Sequence, residues 1–280
     1  MIPARFEYES ASSVDHAIEL LGADDAQALA GGHSLLPAMK LRAARPSLLV
    51  DIGPLRGDLA YVRDAGEQLA IGALTRHADL ERDPLVQEHC PIVSFAAGLI
   101  GDPQVRHRGT IGGSLGHADP AGDLPAVVLA LGAELVVRGS GGERTVSAGE
   151  FFRGVWETAV EPGELLVEVR VPKLGTWTGW SYKKYRRRAI DWATVGVAVL
   201  LTRDNGSVRD ARIALACMGG TPLRASAAEE ALTSADAAGA AAERIGEGTA
   251  PSDDVAASAE FRTHLASVLG RRAIEEALAR

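Results

Sequence analysis

Hydrophobic and polar positions follow two rhythms along this chain. Ser13 precedes Val14, Ala17, Ile18 and Leu21, apolar residues at helical spacing, and Gly22 follows them. That pattern predicts a short helix capped by a serine hydroxyl and stopped at the glycine. Gln27–Ala30 then predicts a small buried strand, Leu35–Arg42 a helix opening straight from the turn Gly31-Gly32-His33-Ser34, and Leu48–Ile52 a second strand. The first stretch therefore reads as an αβαβ unit. From Leu69 a period of two takes over through Ile71 and Ala73, followed by helical segments across 75–101. Further strands are expected near Glu134–Arg138 and Leu165–Val171, the latter with Leu165, Val167, Val169 and Val171 on one face. Pro172-Lys173-Leu174-Gly175 reads as a linker. Beyond it, Trp192–Thr202 and Ala211–Met218 predict strands and Ala225–Leu232 a helix. A terminal helix would carry Phe261, Leu265, Val268, Leu269 and Leu278 along its apolar face. Ala235–Asp254, rich in alanine, glycine and small polar residues, reads as a partly mobile loop.

Composition narrows the class. A chain of 280 residues, 46% hydrophobic and 24% charged, has the make-up of a globular protein of about two domains. Its net charge of −8 argues against non-specific nucleic-acid binding, which needs a local cationic excess. The two cysteines, Cys90 and Cys217, are too few for a disulfide framework, a four-cysteine zinc site or a four-cysteine iron–sulfur cluster. Both read as small buried hydrophobes. The start of the chain lacks the cationic and apolar blocks of a signal peptide. The longest uncharged apolar runs, 91–101 and 192–202, fall short of the roughly 20 residues of a membrane-spanning helix. A cytoplasmic protein with reduced cysteines is expected.

The 31 glycines are bunched, and two bunches carry candidate chemistry. In Ala30-Gly31-Gly32-His33-Ser34-Leu35, paired glycines between a strand and a helix permit a sharp turn with bare amide N–H groups, suited to a phosphate or pyrophosphate. An ordinary strand-to-helix turn has the same signature. The motif is neither the G-x-G-x-x-G of a Rossmann unit nor a Walker phosphate loop. The second bunch, Gly109-Thr110-Ile111-Gly112-Gly113-Ser114-Leu115-Gly116, places four glycines in eight residues. It reads as a backbone wrapped around a ligand, with Thr110 and Ser114 as hydroxyl donors and free amides as an anion-binding nest. A glycine-rich β-corner is the alternative. Asp123 is of the type that accepts ribose hydroxyls.

Other candidates are weaker. Lys183-Lys184-Tyr185-Arg186-Arg187-Arg188 is the one strong charge run. It reads as a solvated strand end, a docking site for an acidic partner or, through Lys184, a cation tuning a cofactor. His33, His107 and His117 lie near the glycine turns without metal-ligand spacing. Trp192 reads as a core residue. No catalytic cluster and no metal site emerges.

The segments AGGHSLLPAMKLR (30–42) and GTIGGSLGHADPAGDLPAV (109–127) together resemble the FAD-binding medium subunits of the molybdenum hydroxylases, the xanthine dehydrogenase and carbon monoxide dehydrogenase family, and among these the carbon monoxide dehydrogenase medium subunits most. Segments 99–108, 182–199, 211–230 and 253–273 extend the resemblance over nearly the whole chain. It implies an α+β protein with the two-subdomain FAD-binding fold of the vanillyl-alcohol oxidase (PCMH) type over 1–174, in subdomains 1–55 and 56–174. A small α/β C-terminal domain of the carbon monoxide dehydrogenase flavoprotein kind would follow over 175–280. FAD would be held by Ala30, Gly31, Gly32, His33, Ser34 and Leu35, by Thr110, Ile111, Gly112, Gly113 and Ser114, and by Asp123 at the adenosine ribose. Ile100 would make an apolar contact, Leu166 would touch the flavin end, and Lys184 would approach the isoalloxazine. The implied role is an electron-transfer subunit passing electrons from an iron–sulfur small subunit through FAD to an external acceptor. A molybdenum-cofactor large subunit would oxidise the substrate, in a dimer of heterotrimers. A self-sufficient FAD-dependent oxidase or dehydrogenase, or a redox-inactive assembly module of the same fold, are the alternatives.

Overall fold

Three helix-backed sheets and a two-stranded hairpin are found among the residues described by the computed structural model, 1–176, 178–204 and 207–280. The first is parallel and three-stranded. Strands β1 (Glu7–Ser10) and β2 (Ala26–Leu29) flank β3 (Leu48–Asp51), with helices α1 (Val14–Leu21) and α2 (Leu35–Lys40) in the connections. Ser13 accepts a hydrogen bond from the His16 amide at 3.1 Å, so the expected cap is formed, and Ala17, Ile18 and Leu21 turn inward. Strand β1 escapes the hydrophobic pattern because all four of its residues are exposed.

The second sheet is antiparallel, in the order β4 (Val62–Ala65), β5 (Gln68–Gly72), β10 (Glu164–Pro172), β6 (Glu134–Gly139), β7 (Gly142–Ser147). A small hairpin, β8 (Phe152–Gly154) and β9 (Glu157–Thr158), lies between β7 and β10 in the chain. Strand β10 does not hold one continuous apolar face. A register shift between Leu166 and Glu168 turns Leu165 and Val167 toward the first unit, and Leu166, Val169 and Val171 toward the main core. Both faces are thus buried, and strict alternation is lost. Short helices cover this sheet. After α3 (Arg56–Leu59) come α4 (His77–Arg82), α5 (Pro84–His89), α6 (Pro91–Gly98), α7 (Pro103–Arg106), α8 (Ile111–His117), α9 (Asp123–Leu131) and α10 (Ala148–Phe151). Every residue of α9 is buried, which explains a helix apolar all round.

The third sheet runs β11 (Thr178–Tyr185), β12 (Val195–Asp204), β13 (Ser207–Ala216), β14 (Leu223–Arg224), with each pair antiparallel. Val195, Val197, Val199 and Leu201 face one core with the terminal helix; Ala198 and Leu200 face the other with α9. Burial on both sides is why β12 reads as an uninterrupted apolar run. Helices α11 (Ser226–Ala231) and α13 (Ala259–Ala279) pack on this sheet, and α12 (Ala238–Glu243) packs against both of them. Two expectations change here. Residues 235–254 contain α12, with Ala241 and Ile245 fully buried, so the segment is largely structured. The inward stripe of α13 is Arg262, Leu265, Ala266, Leu269, Gly270, Ala273, Ile274 and Ala277, leaving Phe261 on the rim against Tyr185. Small residues let the helix sit close to the sheet, and the count of large side chains hides that stripe. The expected linker is pinned: Lys173 N–H donates to Glu67 and Leu174 N–H to His89.

Candidate functional site

The two glycine turns, far apart in sequence, meet in space. A Cβ on Gly31 would overlap the Arg108 carbonyl and lie 2.9 Å from the Gly109 Cα, and one on Gly113 would lie 3.8 Å from the Ala30 Cβ. A cavity of about 780 Å³ opens beside this junction. Ala30, Gly32, His33, Ser34, Leu35, Ile100, Thr110, Gly112, Gly113, Ser114, Asp123, Leu166 and Lys184 all line it. Gly31 and Ile111 do not: Gly31 is the spacer between the turns, and Ile111 is fully buried in the main core.

The first turn has the expected character. Gly32 adopts φ +75°, in the left-handed region where glycine is favoured. Among the described residues, no group accepts a hydrogen bond from the amides of Ala30, Gly31, Gly32, His33, Ser34 or Leu35. A run of unpartnered N–H donors leading into a helix is a docking place for anionic oxygen. The ring nitrogen Nδ1 of His33 instead lies 3.0 Å from the Gly31 carbonyl and braces the turn.

The second turn differs from the expectation. It is a helix, α8, with Thr110 as its N-cap, and its first amides are engaged within the protein. Ile111 N–H donates to Thr75, Gly112 N–H to Ala73 at 2.8 Å, Gly113 N–H to the Thr110 hydroxyl and Ser114 N–H to the Thr110 carbonyl. Gly109 and Gly112 therefore serve close packing, against His77 and Ala73, rather than an amide nest. A Cβ on Gly112 would stand 2.7 Å from the Ala73 carbonyl oxygen. What this side offers the cavity is the hydroxyl of Ser114 and the smooth glycine surface at 112, 113 and 116.

Asp123 and Lys184 form a buried ion pair at 2.7 Å, each side chain 3% exposed. The Tyr182 hydroxyl donates to the other carboxylate oxygen at 2.6 Å. Burial pushes the Asp123 carboxyl above the usual range, opposed by the Lys184 ammonium and the hydrogen bonds from Lys184 and Tyr182. The pair puts side by side two residues that the resemblance assigns separately, Asp123 to the adenosine ribose and Lys184 to the approach of the isoalloxazine. The cation at Lys184 is also already compensated. Three more members of the basic run are tied down: Lys183 to Glu276, Arg186 to the Leu99 carbonyl at 2.6 Å and Arg187 to the Val255 carbonyl. Arg186 at Leu99 caps the C-terminus of α6, a favourable end for a cation, and fixes the turn that presents Ile100.

Several contributors were not legible in the pattern. His77, buried at the start of α4, lines the cavity, and so do Ile190 and Trp192. Trp192 is half-exposed beside His117, not a core residue. Its only sequence signal was its place after the basic run. Cys217 is not a plain buried hydrophobe: it sits at φ +62° with its sulfur 3.0 Å from the fully buried Arg262 guanidinium. Cys90 is fully buried as expected.

Comparison with known proteins matches this geometry. Residues 4–174 match the family described as "FAD binding domain in molybdopterin dehydrogenase", and residues 180–277 the "CO dehydrogenase flavoprotein C-terminal domain". The chain is 43% identical to the carbon monoxide dehydrogenase medium chain of Hydrogenophaga pseudoflava, over 100% of this chain and 99% of that one. It is 42% identical to the 6-hydroxypseudooxynicotine dehydrogenase complex subunit alpha of Paenarthrobacter nicotinovorans, over 100% and 97%. Among solved structures, the carbon monoxide dehydrogenase of Hydrogenophaga pseudoflava lacking the Mo-pyranopterin moiety superposes with a TM-score of 0.96 at 45% identity, covering 100% and 99% of the two chains. Quinoline 2-oxidoreductase of Pseudomonas putida 86 superposes at 0.94 with 34% identity, covering 100% and 99%.

Proposed function

The chain belongs to the FAD-binding medium subunits of the molybdenum hydroxylases, and from that membership we propose that its cavity seats FAD between a partner's iron–sulfur clusters and an external electron acceptor. The observation that carries the proposal is the row of unpartnered amides from Ala30 to Leu35 opening on a 780 Å³ cavity. Those amides would hold the pyrophosphate, with the Ser114 hydroxyl facing them. When bound, FAD supplies two-electron storage with one-electron exchange. The protein's residues bind and orient it. Ile190 and Trp192 are both exposed and both line the cavity, which supports putting the isoalloxazine, the group that exchanges electrons, at that open end. Leu166 and Ile100 add apolar wall, and the compensated Asp123–Lys184 pair brings polar groups without net charge.

The working division is an FAD-binding unit over 1–174, in parts 1–55 and 56–174, and a C-terminal unit over 175–280. Partners would be an iron–sulfur small subunit and a molybdenum-cofactor large subunit, in a dimer of heterotrimers. Substrate choice would lie in the large subunit. Relatives whose names specify carbon monoxide and 6-hydroxypseudooxynicotine are about equally similar, so likeness in this chain does not sort substrates. Carbon monoxide oxidation is the reading favoured by two carbon monoxide dehydrogenase medium chains at 43% and 41% identity, and a cytoplasmic complex is the setting proposed. Among the described residues no helix is long and apolar enough to cross a membrane.

The test is purification with and without the neighbouring subunits. Flavin released by denaturation should be FAD, equimolar with the chain, and dithionite-reduced iron–sulfur partner should bleach its absorbance. Flavin-free protein that does not take up FAD would overturn the proposal. Turnover of a small organic substrate by the isolated chain would overturn the electron-transfer role.

A further inference from the structure

His77 is the buried titratable group that neither glycine motif accounts for. Its amide donates to the Gly109 carbonyl at 3.0 Å, joining the start of α4 to the second turn. Its ring is 4% exposed, yet it lines the cavity. Nδ1 is sealed from solvent and has no hydrogen-bond partner among the described residues. The opposite edge of the ring faces Gly109: a Cβ there would lie 2.7 Å from Cδ2 and 2.9 Å from Nε2. Gly109 also lines the cavity, and its Cα abuts Gly31. The Nε2 edge thus lies against Gly109, where the two turns meet, on the wall of the cavity.

This geometry dictates a tautomer. A neutral imidazole has one N–H and one acceptor nitrogen. A sealed N–H without an acceptor is rarer in folded proteins than an under-satisfied acceptor, so the proton belongs on Nε2. A buried polar atom without a partner asks for an explanation. Here an apolar ring of similar shape would fill the space without leaving Nδ1 unsatisfied. What the imidazole adds is a neutral N–H aimed where the turns meet.

We propose that His77 donates a hydrogen bond from Nε2–H to the pyrophosphate of bound FAD. The inference rests on the cavity being the FAD site. Burial, reinforced by Arg106 and His33, holds the ring neutral down to about pH 4, so the donor adds no charge to the site.

The test compares wild type with His77→Phe, His77→Gln and His77→Asn, all stripped of flavin and then titrated with FAD and with ADP. Phe removes both nitrogens. Gln can place an amide N–H where Nε2 stood, and Asn places one where Nδ1 stood. His77→Phe should weaken FAD and ADP alike by about tenfold to a hundredfold, the range for one hydrogen bond to a charged acceptor. The melting temperature of the flavin-free Phe variant should stay level or rise, because the orphaned Nδ1 is gone. Gln should restore most of the affinity and Asn little. In 15N-histidine-labelled wild type, His77 should show a protonated Nε2 that shifts when FAD binds. Unchanged FAD affinity in a folded His77→Phe variant overturns the proposal, as does a weakened FAD with unweakened ADP, which would place the contact away from the pyrophosphate. A Phe variant that does not fold leaves the Gln and Asn comparison and the 15N signal to decide. Failure of wild type itself to bind FAD would instead fell the reading beneath it.

Discussion

Removing one member of the Asp123–Lys184 pair should damage the fold before it damages cofactor binding. Both side chains are 3% exposed, so Lys184→Met leaves a carboxylate in a dry site facing only Tyr182 and, farther off, Arg186. Breaking a buried pair in this way destabilises by about 3–5 kcal/mol, while replacing both partners together is close to neutral. Asp123→Asn keeps an acceptor for the Tyr182 hydroxyl, so Asp123→Asn/Lys184→Met is the appropriate double variant. It should be at least ~2 kcal/mol more stable than the two single losses added together. The assay is urea unfolding of flavin-free protein at pH 7 and pH 5. The pH arm has a definite sign. Burial already raises the Asp123 pKa in the folded state, and without Lys184 it rises further above its unfolded value, so the native protein holds the extra proton. The deficit of Lys184→Met should therefore shrink as pH falls toward 5. A Lys184→Met variant within about 1 kcal/mol of wild type at pH 7, or a double variant whose loss is additive, would refute the reasoning. The outcome also bears on cofactor binding. Loss of FAD in Asp123→Ala reports a lost contact only if the folded double variant loses FAD as well; retention there would trace the loss to the orphaned Lys184.

Two further predictions follow from close packing and burial. Gly31→Ala drives a Cβ into the Arg108 backbone and parts the two turns, so it should abolish FAD retention; Gly57→Ala, with no atom within 4 Å of the added carbon, should be neutral or stabilising by under about 1 kcal/mol. Equal FAD content in Gly31→Ala and wild type would show that the turns need not touch. His77 titrates near 6.5 when unfolded but at about 4 in the fold, so stability is fully present above pH 6.5 and is lost as pH falls toward 4. At about 1.4 kcal/mol per pH unit the loss is about 3 kcal/mol, and His77→Phe should flatten that part of the urea-derived stability curve.

Local signals along the chain were enough for much of the architecture. The Ser13 cap, the helix from Val14 and the strand pairs around Leu29 and Val50 follow from periodicity and turn chemistry, which are short-range. The Ala30–Ser34 turn was legible for the same reason: a glycine pair between a strand and a helix leaves amides bare whatever lies around it. The Gly109–Gly116 segment was not, because Gly109 and Gly112 record tertiary crowding against His77 and Ala73, not a local loop. Its amides find their acceptors on Thr75 and Ala73, residues whose proximity no local pattern reveals. The same limit hid the pairing of Asp123 with Lys184 across 61 residues and the bulge that divides β10 between two cores.

By itself, then, the amino-acid order determined which segments become strands and helices, the exclusion of cysteine-ligated centres, and one amide-lined turn. Tertiary structure alone decided how those parts face one another. It brought two turns into contact, paired Lys184 with Asp123, and enclosed an imidazole with no distinguishing signal in the sequence. Propensity and capping act over a few residues, whereas desolvation and close contact depend on groups that only the completed fold brings together.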